Sequence, residues 1–278
     1  MSSRHFFQTI AAQAGRGELA FPTNVDASLK LQQALLDPAC HIDDAVRLVQ
    51  ADPLLAARAV AMANSAAFKR SGDEISSVRV AVQRLGVRAL QVLGAALMMR
   101  QLASKVADPA IQLKSEQLWA HSAHVAALAH VMARRVTHVD PETALFAGIV
   151  HEVGGFYMLS RAAEFPGILD GDAADWVEHG ERQIGRCVLA RLEVPEAVRQ
   201  AVEAVWEGMR ALPPETLGDT LLLANDLSPV ASPLHERQGA TTLQAALTID
   251  FVTSDGTLNS ILAESAGEVA SLLAVLMW

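Results

Sequence analysis

The chain has 278 residues and a formal net charge of −9, and 51% of its residues are hydrophobic while only 5% are aromatic. A protein that binds nucleic acid in general presents a basic surface, so this charge argues against a nucleic-acid partner. Cys40 and Cys187 lie far apart in the sequence and form no CxxC motif, which predicts two buried free thiols in a reducing compartment.

The longest apolar runs, residues 89–99 and 269–278, are both shorter than the ~20 residues that a helix needs to cross a bilayer. The apolar part of the N-terminus is too short for a signal peptide. We therefore predict a soluble, cytoplasmic protein that has no membrane partner.

Apolar residues recur at helical spacing along most of the chain, whereas no segment shows the sustained alternation of a β-strand. Glycine and proline fall mostly between these periodic segments, where they end helices. The sequence therefore predicts an all-α protein. The predicted helices cover residues 1–14, 26–36, 41–50, 54–64, 78–85, 87–102, 114–136, a central helix from Pro141, then 172–179, 181–192, 195–212, 219–226, 234–249, 255–263 and 268–277.

Two ionisable residues, His151 and Glu152, interrupt an apolar run in the central stretch 140–159. Two glycines follow them, and paired glycines end or bend a helix. Upstream, His121 falls on the apolar face of the helix predicted over residues 114–136. Imidazoles that project inward from two helices are what a metal site inside a helical bundle needs, so these residues form a candidate site.

Three sequence patterns follow one another over about 100 residues. The first is an Asp-Pro pair that opens a helix ending in Asn-Ser-Ala-Ala-Phe, and the second is a Ser-Val segment that continues to Leu-Gly. The third places one His in Leu-Trp-Ala-His-Ser and another in Gly-Ile-Val-His-Glu-Val-Gly. The chief residues of the first two patterns are Asp52, Pro53, Asn64, Ser65, Leu85 and Gly86. Together the patterns resemble the HDOD family, the HD-related output domain of bacterial signalling proteins.

The resemblance covers residues 20–215 and implies a domain organisation. An N-terminal helical lobe is expected over about residues 20–110, and an HD-like lobe over about 111–215. Residues 1–19 are then an N-terminal helical extension. Residues 216–278, beyond a Pro-Pro boundary, are expected to add helices that pack back on the HD-like lobe.

The family is related to the HD phosphohydrolases, including HD-GYP enzymes that cleave cyclic di-GMP, which bind metal through a His, a His-Asp pair and a distant Asp. By this resemblance, His121 matches the first His and His151 the second. Glu152 replaces the Asp of the pair, and Asp226 is the counterpart of the distant Asp. The additional histidines of the binuclear enzymes are missing, and Glu181 stands in that region.

Two interpretations of the histidines follow. In the first, His121 and His151 are hydrogen-bonded core residues inherited from a metal-binding ancestor, with Glu152 as a partner. In the second, these three residues and Asp226 hold a single divalent metal ion. The longer Glu side chain displaces its carboxylate by ~1.5 Å, and metal–ligand distances tolerate only about 0.2 Å. The sequence therefore favours vestigial positions, with no catalytic residue, metal or cofactor.

The leading hypothesis is a non-catalytic HDOD regulatory protein that relays a signal by binding another signalling protein. A rival hypothesis is a mononuclear metal-dependent phosphohydrolase acting on a nucleotide or cyclic dinucleotide. A third is a nucleotide-binding regulator without catalysis. The oligomeric state is not encoded in any recognisable pattern.

Other polar residues have more than one interpretation. Asn64 and Ser65 are explained by a helix end, although a recognition surface is the alternative. His124 and His130 lie off the apolar face of their helix and are predicted to be surface residues. Four arginines are either solvated or gathered into a basic groove for a nucleotide phosphate: Arg58, Arg84, Arg88 and Arg100.

Overall fold

The computed structural model describes residues 3–21, 25–37, 39–69, 74–103, 108–168, 173–208, 211, 213–234, 252–253 and 256–277. Helices dominate these residues, which confirms the all-α prediction. The α-helices are α1 (Ser3–Gly15), α2 (Val25–Leu36), α3 (Ile42–Ala51), α4 (Pro53–Asn64), α5 (Val78–Ala103), α6 (Pro109–Met132), α7 (Pro141–Val150), α8 (Val153–Ser160), α9 (Ala173–Asp175), α10 (Arg186–Arg191), α11 (Glu196–Glu207), α12 (Leu217–Asp226), α13 (Leu258–Glu264) and α14 (Ala266–Leu276). Two π-helical segments are π1 (Ala133–Thr137) and π2 (Trp176–Gly185), and an antiparallel hairpin consists of β1 (Val252–Thr253) and β2 (Gly256–Thr257).

Three helices start at an Asp-Pro pair, in which the Asp side chain caps the first turn and the proline takes the first helical position. At the Asp52-Pro53 pair, the carboxylate accepts hydrogen bonds from the backbone N–H groups of Leu54 at 2.8 Å and Leu55 at 3.1 Å. Asp108 and Asp140 cap α6 and α7 through backbone N–H groups in the same way. These local signals fix where α4, α6 and α7 begin.

The Asn-Ser pair at the end of α4 has a structural role. The side-chain amide of Asn64 donates to the carbonyl of Ile75 and accepts from its N–H, both at 2.8 Å. The hydroxyl of Ser65 donates to the carbonyl of Met62 at 2.7 Å. The pair ends α4 and ties it to the segment that leads into α5, which favours the helix-end interpretation.

The long helix α5 is bent at Gly86, where the sequence predicted a break between two helices. Gly86 has a φ of 71°, a left-handed conformation that favours glycine, and Leu85 before it is buried. By length and composition, Val78–Leu102 is apolar enough to cross a membrane, but 61% of its most apolar window is buried inside the protein. That degree of burial is typical of a core helix. The pair α13 and α14, bent by 57°, meets the same criterion only when taken together.

The helix α6 lies at the centre of the described structure and packs against α5, α7, α12 and α14. The helix α7 crosses it at Gly148, where a Cβ atom would lie only 2.7 Å from the backbone nitrogen of Ala126. Such a close approach is open only to glycine. The crossing brings the end of α7 next to the middle of α6, and this contact positions the candidate site.

The helices after Pro214 pack on this centre as well. The helix α12 packs against α6 and α11, and α14 packs against α6. The last helix also reaches the end of α4, where the hydroxyl of Ser271 accepts a hydrogen bond from the N–H of Ala66 at 2.8 Å. The C-terminal helix therefore contacts the N-terminal helices too, which the sequence did not predict.

Several predicted helix bounds differ from the structure. The helix predicted over residues 255–263 begins only at Leu258, because the β1–β2 hairpin lies before it. The break predicted between residues 179 and 181 is absent, since π2 runs through it and joins α9 to α10. The helix predicted over residues 234–249 lies almost wholly outside the described residues.

Both cysteines are free, as predicted, but they are half-buried rather than buried. Desolvation by burial raises the pKa of the Cys40 thiol and that of the Cys187 thiol. A raised pKa lowers the thiolate fraction near neutral pH, and the thiolate is the reactive form. Neither cysteine has the surroundings of a reactive thiol.

Candidate metal centre

Three ionisable side chains are buried together where α7 gives way to α8. The turn between these helices carries His151 and Glu152, and His121 enters from α6. These side chains belong to residues that are 2% (His121), 5% (His151) and 4% (Glu152) exposed. One potential ligand atom from each lies within 4.8 Å of those of the other two. The structure thus brings together three of the four positions that the family resemblance suggested.

Each imidazole is anchored through Nδ1 on a backbone carbonyl. Nδ1 of His121 lies 2.7 Å from the carbonyl oxygen of Val230, and Nδ1 of His151 lies 2.8 Å from that of Gly148. A carbonyl oxygen only accepts hydrogen bonds, so each Nδ1 carries the hydrogen and donates it. In a neutral imidazole the other nitrogen, Nε2, then carries a lone pair.

The two Nε2 atoms of His121 and His151 face each other at 3.3 Å, with the ring centroids 5.3 Å apart. Two lone pairs cannot form a hydrogen bond with each other, so this arrangement needs a positive species between or beside them. Glu152 supplies the opposite charge, since its Oε1 lies 3.9 Å from Nε2 of His121. The cluster is therefore built to hold either a shared proton or a cation.

The donor atoms fit a divalent cation. Two nitrogen ligands at ~2.0–2.1 Å from a tetrahedral Zn²⁺ are about 3.3 Å apart, and the two Nε2 atoms are 3.3 Å apart. Histidines that bind metal almost always donate their other N–H to a carbonyl or carboxylate, as both do here. The carboxylate of Glu152 lies farther out, since its Oε1 is 3.9 Å from Nε2 of His121. It must approach that nitrogen by about 0.6 Å to reach the same ligand spacing.

The fourth expected position, Asp226, does not join this group among the described residues. It is the last residue of α12 and is half-buried. Glu181, in the region where binuclear relatives carry further histidines, is buried on π2 at 6% exposure but is likewise outside the group. The described cluster thus has two imidazoles and one carboxylate, enough for one ion.

One partner of the site gave no sequence signal. The carbonyl of Val230 anchors His121 from a segment that follows α12. A backbone carbonyl is common to every residue type, so no motif marks it. Only the fold reveals that this segment belongs to the site.

The prediction that His130 is a surface residue is wrong. His130 is 3% exposed, its ring lies 5.7 Å from that of Phe68, and its Nδ1 lies 3.2 Å from Oε1 of Glu268 on α14. The last helix of the chain covers this face of α6. His124 is half-buried. Its Nδ1 donates to the carbonyl of Ala120 at 2.7 Å.

Two of the four arginines have other partners in the structure. Arg88 forms an ion pair with Asp140 at 2.8 Å, and Arg84 donates to the carbonyl of Ala63 at 3.1 Å. Desolvation and the nearby charge of Arg100 lower the pKa of Arg58, so these two arginines are neighbours. The basic-groove hypothesis stays a prediction.

A surface groove of about 420 Å³ lies between π2 and α11, and its lining does not include the histidine cluster. The guanidinium of Arg186 lies 5.7 Å from the ring of Trp206 and forms an ion pair with Glu203 at 2.8 Å. The groove mixes acidic and basic side chains, so it favours no single ligand charge. It is lined by Glu178, Arg182, Gln183, Arg186, Glu203, Trp206 and Glu207.

The family model of the HDOD domain matches residues 21–207 of the chain. No curated protein matches the chain. A candidate metal-dependent phosphohydrolase from Shewanella amazonensis SB2B is similar in structure, with a TM-score of 0.73 at 19% identity over 99% of this chain and 100% of that one. At such low identity the likeness shows the fold alone.

Two further solved structures have the same fold. An HDOD domain protein of unknown function from Geobacter sulfurreducens has a TM-score of 0.64 at 22% identity, and the match covers 97% of each chain. A candidate signal transduction protein from Marinobacter aquaeolei VT8 has a TM-score of 0.60 at 17% identity. That match covers 99% of this chain but 65% of the Marinobacter protein, which is therefore longer.

Proposed function

This chain belongs to the HDOD family, and we propose that it is a signal-transduction protein that acts by binding another signalling protein rather than by hydrolysis. We further infer that His121, His151 and Glu152 bind one divalent cation within it. The observation that carries this proposal is the pair of Nε2 atoms, 3.3 Å apart, whose opposite ring nitrogens are both held by carbonyls.

The geometry supports a cation over a vestigial pair because of the distance between the two ring nitrogens. A proton shared by the two Nε2 atoms forms a charge-assisted hydrogen bond, and such bonds are shorter than the 3.3 Å seen here. A divalent cation uses both lone pairs and the charge of Glu152 at once. The sequence favoured the vestigial interpretation, because it could not show that both Nδ1 atoms are already anchored.

The burial of the cluster supports binding rather than catalysis. Hydrolysis requires that a substrate phosphate and a water molecule both reach the metal, whereas the three residues are 2–5% exposed. The described residues bring three donors together for one ion, and such a set does not form a two-metal clamp on the attacking and leaving oxygens. A bound cation in this setting supplies positive charge that organises the surrounding helices.

The first experiment is metal content of protein purified without chelator, followed by titration of the chelated protein with Zn²⁺ and Co²⁺. The wild-type protein is expected to take up about one equivalent, and His121→Ala and His151→Ala are expected to lose it. His124→Ala is the matched control, because His124 lies on the same helix but outside the cluster. Uptake well below one equivalent in the wild type, unchanged by His151→Ala, contradicts the cation site.

The binding role needs a separate test. Immobilised wild-type protein and His151→Ala, each checked for folding, are compared in a pull-down from a bacterial lysate with mass spectrometry. A signalling protein retained by the wild type and lost from His151→Ala supports the role. If the wild type and His151→Ala retain the same protein equally, partner binding does not depend on the cluster.

One observation favours a second candidate function, a mononuclear phosphohydrolase acting on a nucleotide or cyclic dinucleotide. Two histidines and a glutamate are also the protein ligands of some hydrolytic zinc centres, in which a water takes the fourth position. Such a bound ion lowers the pKa of its water and polarises a phosphoryl group. Turnover of cyclic di-GMP or a nucleotide by metal-loaded protein, abolished in Glu152→Gln but kept in His124→Ala, establishes this candidate.

A further inference from the structure

We propose that residues 227–234, here called the strap, hold His121 in its ligand-presenting orientation, so that cation binding and seating of the strap are coupled. This inference rests on the proposed cation site. It adds a positioning segment to that site. The strap directly follows α12 and reaches α6, which carries His121, and α8, which begins after Glu152.

The first contact joins a strap carbonyl to an imidazole. The carbonyl oxygen of Val230 accepts a hydrogen bond from Nδ1 of His121 at 2.7 Å. It also accepts one from the hydroxyl of Ser228 at 2.8 Å, and Ser228 is 5% exposed. Two donors thus fix the direction of one carbonyl, and that carbonyl determines which nitrogen of His121 carries the hydrogen.

The second contact joins the strap to α8. A Cβ atom at Gly155 would lie 2.6 Å from Cδ1 of Leu234 and 3.0 Å from Cδ2 of Leu118. The side chain of Leu234 therefore lies directly on the backbone of α8, three residues after Glu152. The strap touches both elements that supply the cluster, α6 through Val230 and the α7–α8 region through Leu234.

These contacts make the strap a positioning element. If the strap lifts away, His121 loses the acceptor for Nδ1–H, and its ring becomes free to rotate or to carry hydrogen on Nε2. A protonated Nε2 has no lone pair for a metal. Because the seated strap favours the metal-binding state, a bound cation must favour the seated strap by the same free energy.

Two strap variants and two matched controls test the coupling. Gly155→Ala adds a methyl group that pushes against Leu234 of the strap and also against Leu118 of α6, so its effect is read together with that of Ser228→Ala. Gly267→Ala is its control because no atom lies within 4 Å of the added Cβ. Ser228→Ala removes the second donor to Val230. Ser115→Ala is its control, since Ser115 is a buried serine on α6 whose hydroxyl donates to the carbonyl of Ile111 at 2.9 Å.

Each variant is measured in three ways: Zn²⁺ affinity by competition with a chelating dye, the visible absorption of bound Co²⁺, and hydrogen exchange of strap amides with and without Zn²⁺. Loss of an outer partner of a metal-binding histidine typically costs 10–100-fold in affinity. We expect roughly tenfold weaker Zn²⁺ binding and an altered Co²⁺ spectrum in the strap variants, and wild-type behaviour in the controls. In the wild type, Zn²⁺ is expected to slow exchange in the strap.

The outcomes separate this inference from the proposed function. Strap variants that bind Zn²⁺ like the wild type, together with strap exchange that ignores Zn²⁺, overturn the coupling but leave the cation site intact. A wild-type protein that binds neither Zn²⁺ nor Co²⁺ overturns both. If Gly155→Ala does not fold, Ser228→Ala decides the question alone, because it removes one hydroxyl and adds no atom.

Discussion

Nδ1 of His130 lies 3.2 Å from Oε1 of Glu268, and this contact ties the central helix α6 to the last helix of the chain. The two atoms are close, but they are not aligned as a well-directed hydrogen bond. Arg134 also pairs with Glu268, whose side chain is only 10% exposed. The carboxylate of Glu268 therefore contacts both His130 and Arg134 and attaches α14 to this part of the chain.

Glu268→Gln is expected to lower the free energy of unfolding by about 1–2 kcal/mol at pH 7, because His130 and Arg134 lose a charged partner. Burial raises the pKa of Glu268, but His130 and Arg134 outweigh burial and lower it below its ordinary value of 4.5. The stabilisation is thus complete above pH 4.5 and is lost as the pH falls through the lower, folded pKa. The wild type and Glu268→Gln are therefore expected to have similar free energies of unfolding in acid. Urea denaturation of both proteins at a series of pH values measures this.

The control for this change is Glu264→Gln on the neighbouring helix. Glu264 pairs with Arg135 at 2.9 Å, but its side chain is 63% exposed. Exposed ion pairs contribute little, so a loss below about 0.5 kcal/mol is expected. If the two variants lose equal free energy of unfolding, the buried contacts of Glu268 have no special role. The same conclusion follows if the loss in Glu268→Gln persists in acid.

Sequence reasoning succeeded where the signal was local. Asp-Pro pairs marked the starts of α4 and α7, and Gly86 marked the bend in α5. Helical periodicity made His121 and His151 a candidate pair, and the family resemblance supported it, but their actual convergence depends on how α6 and α7 cross. Burial of His130 was missed because Glu268, which covers it, is distant in sequence. The carbonyl partners of the imidazoles were missed because every residue has a carbonyl.

Asn64→Ala is expected to lower the free energy of unfolding by about 1–3 kcal/mol, since the backbone N–H and carbonyl of Ile75 both lose their partner. Ser65→Ala is the control. Its hydroxyl bonds only to a carbonyl within the same helix end, so a smaller loss of at most about 1 kcal/mol is expected. Thermal and urea unfolding measure both. If Asn64→Ala is as stable as the wild type, the asparagine is retained for recognition rather than for structure.

Tyr157→Phe tests how the segment that follows α1 is attached. The hydroxyl of Tyr157 is buried and accepts hydrogen bonds from the N–H of Ala20 at 3.2 Å and from Arg161 at 3.0 Å. Removing it is expected to cost about 1–2 kcal/mol, because the ring remains packed while two donors lose their acceptor. Thr9→Ala, which removes an exposed hydrogen bond within α1, is expected to cost under about 1 kcal/mol. Urea denaturation that gives equal costs contradicts this attachment.

Gly148→Ala tests whether the α6–α7 crossing sets the geometry of the cluster. The added Cβ would lie 2.7 Å from the backbone nitrogen of Ala126, and backbone cannot yield as a flexible side chain does. Overpacking of this kind costs about 1–3 kcal/mol, and separating the helices moves His151 away from His121. We therefore expect lower stability and weaker Zn²⁺ binding together, measured by urea denaturation and dye competition. Gly15→Ala, which meets no atom within 4 Å, is expected to change neither. Normal Zn²⁺ affinity in a destabilised Gly148→Ala would show that the histidines are positioned by something other than this crossing.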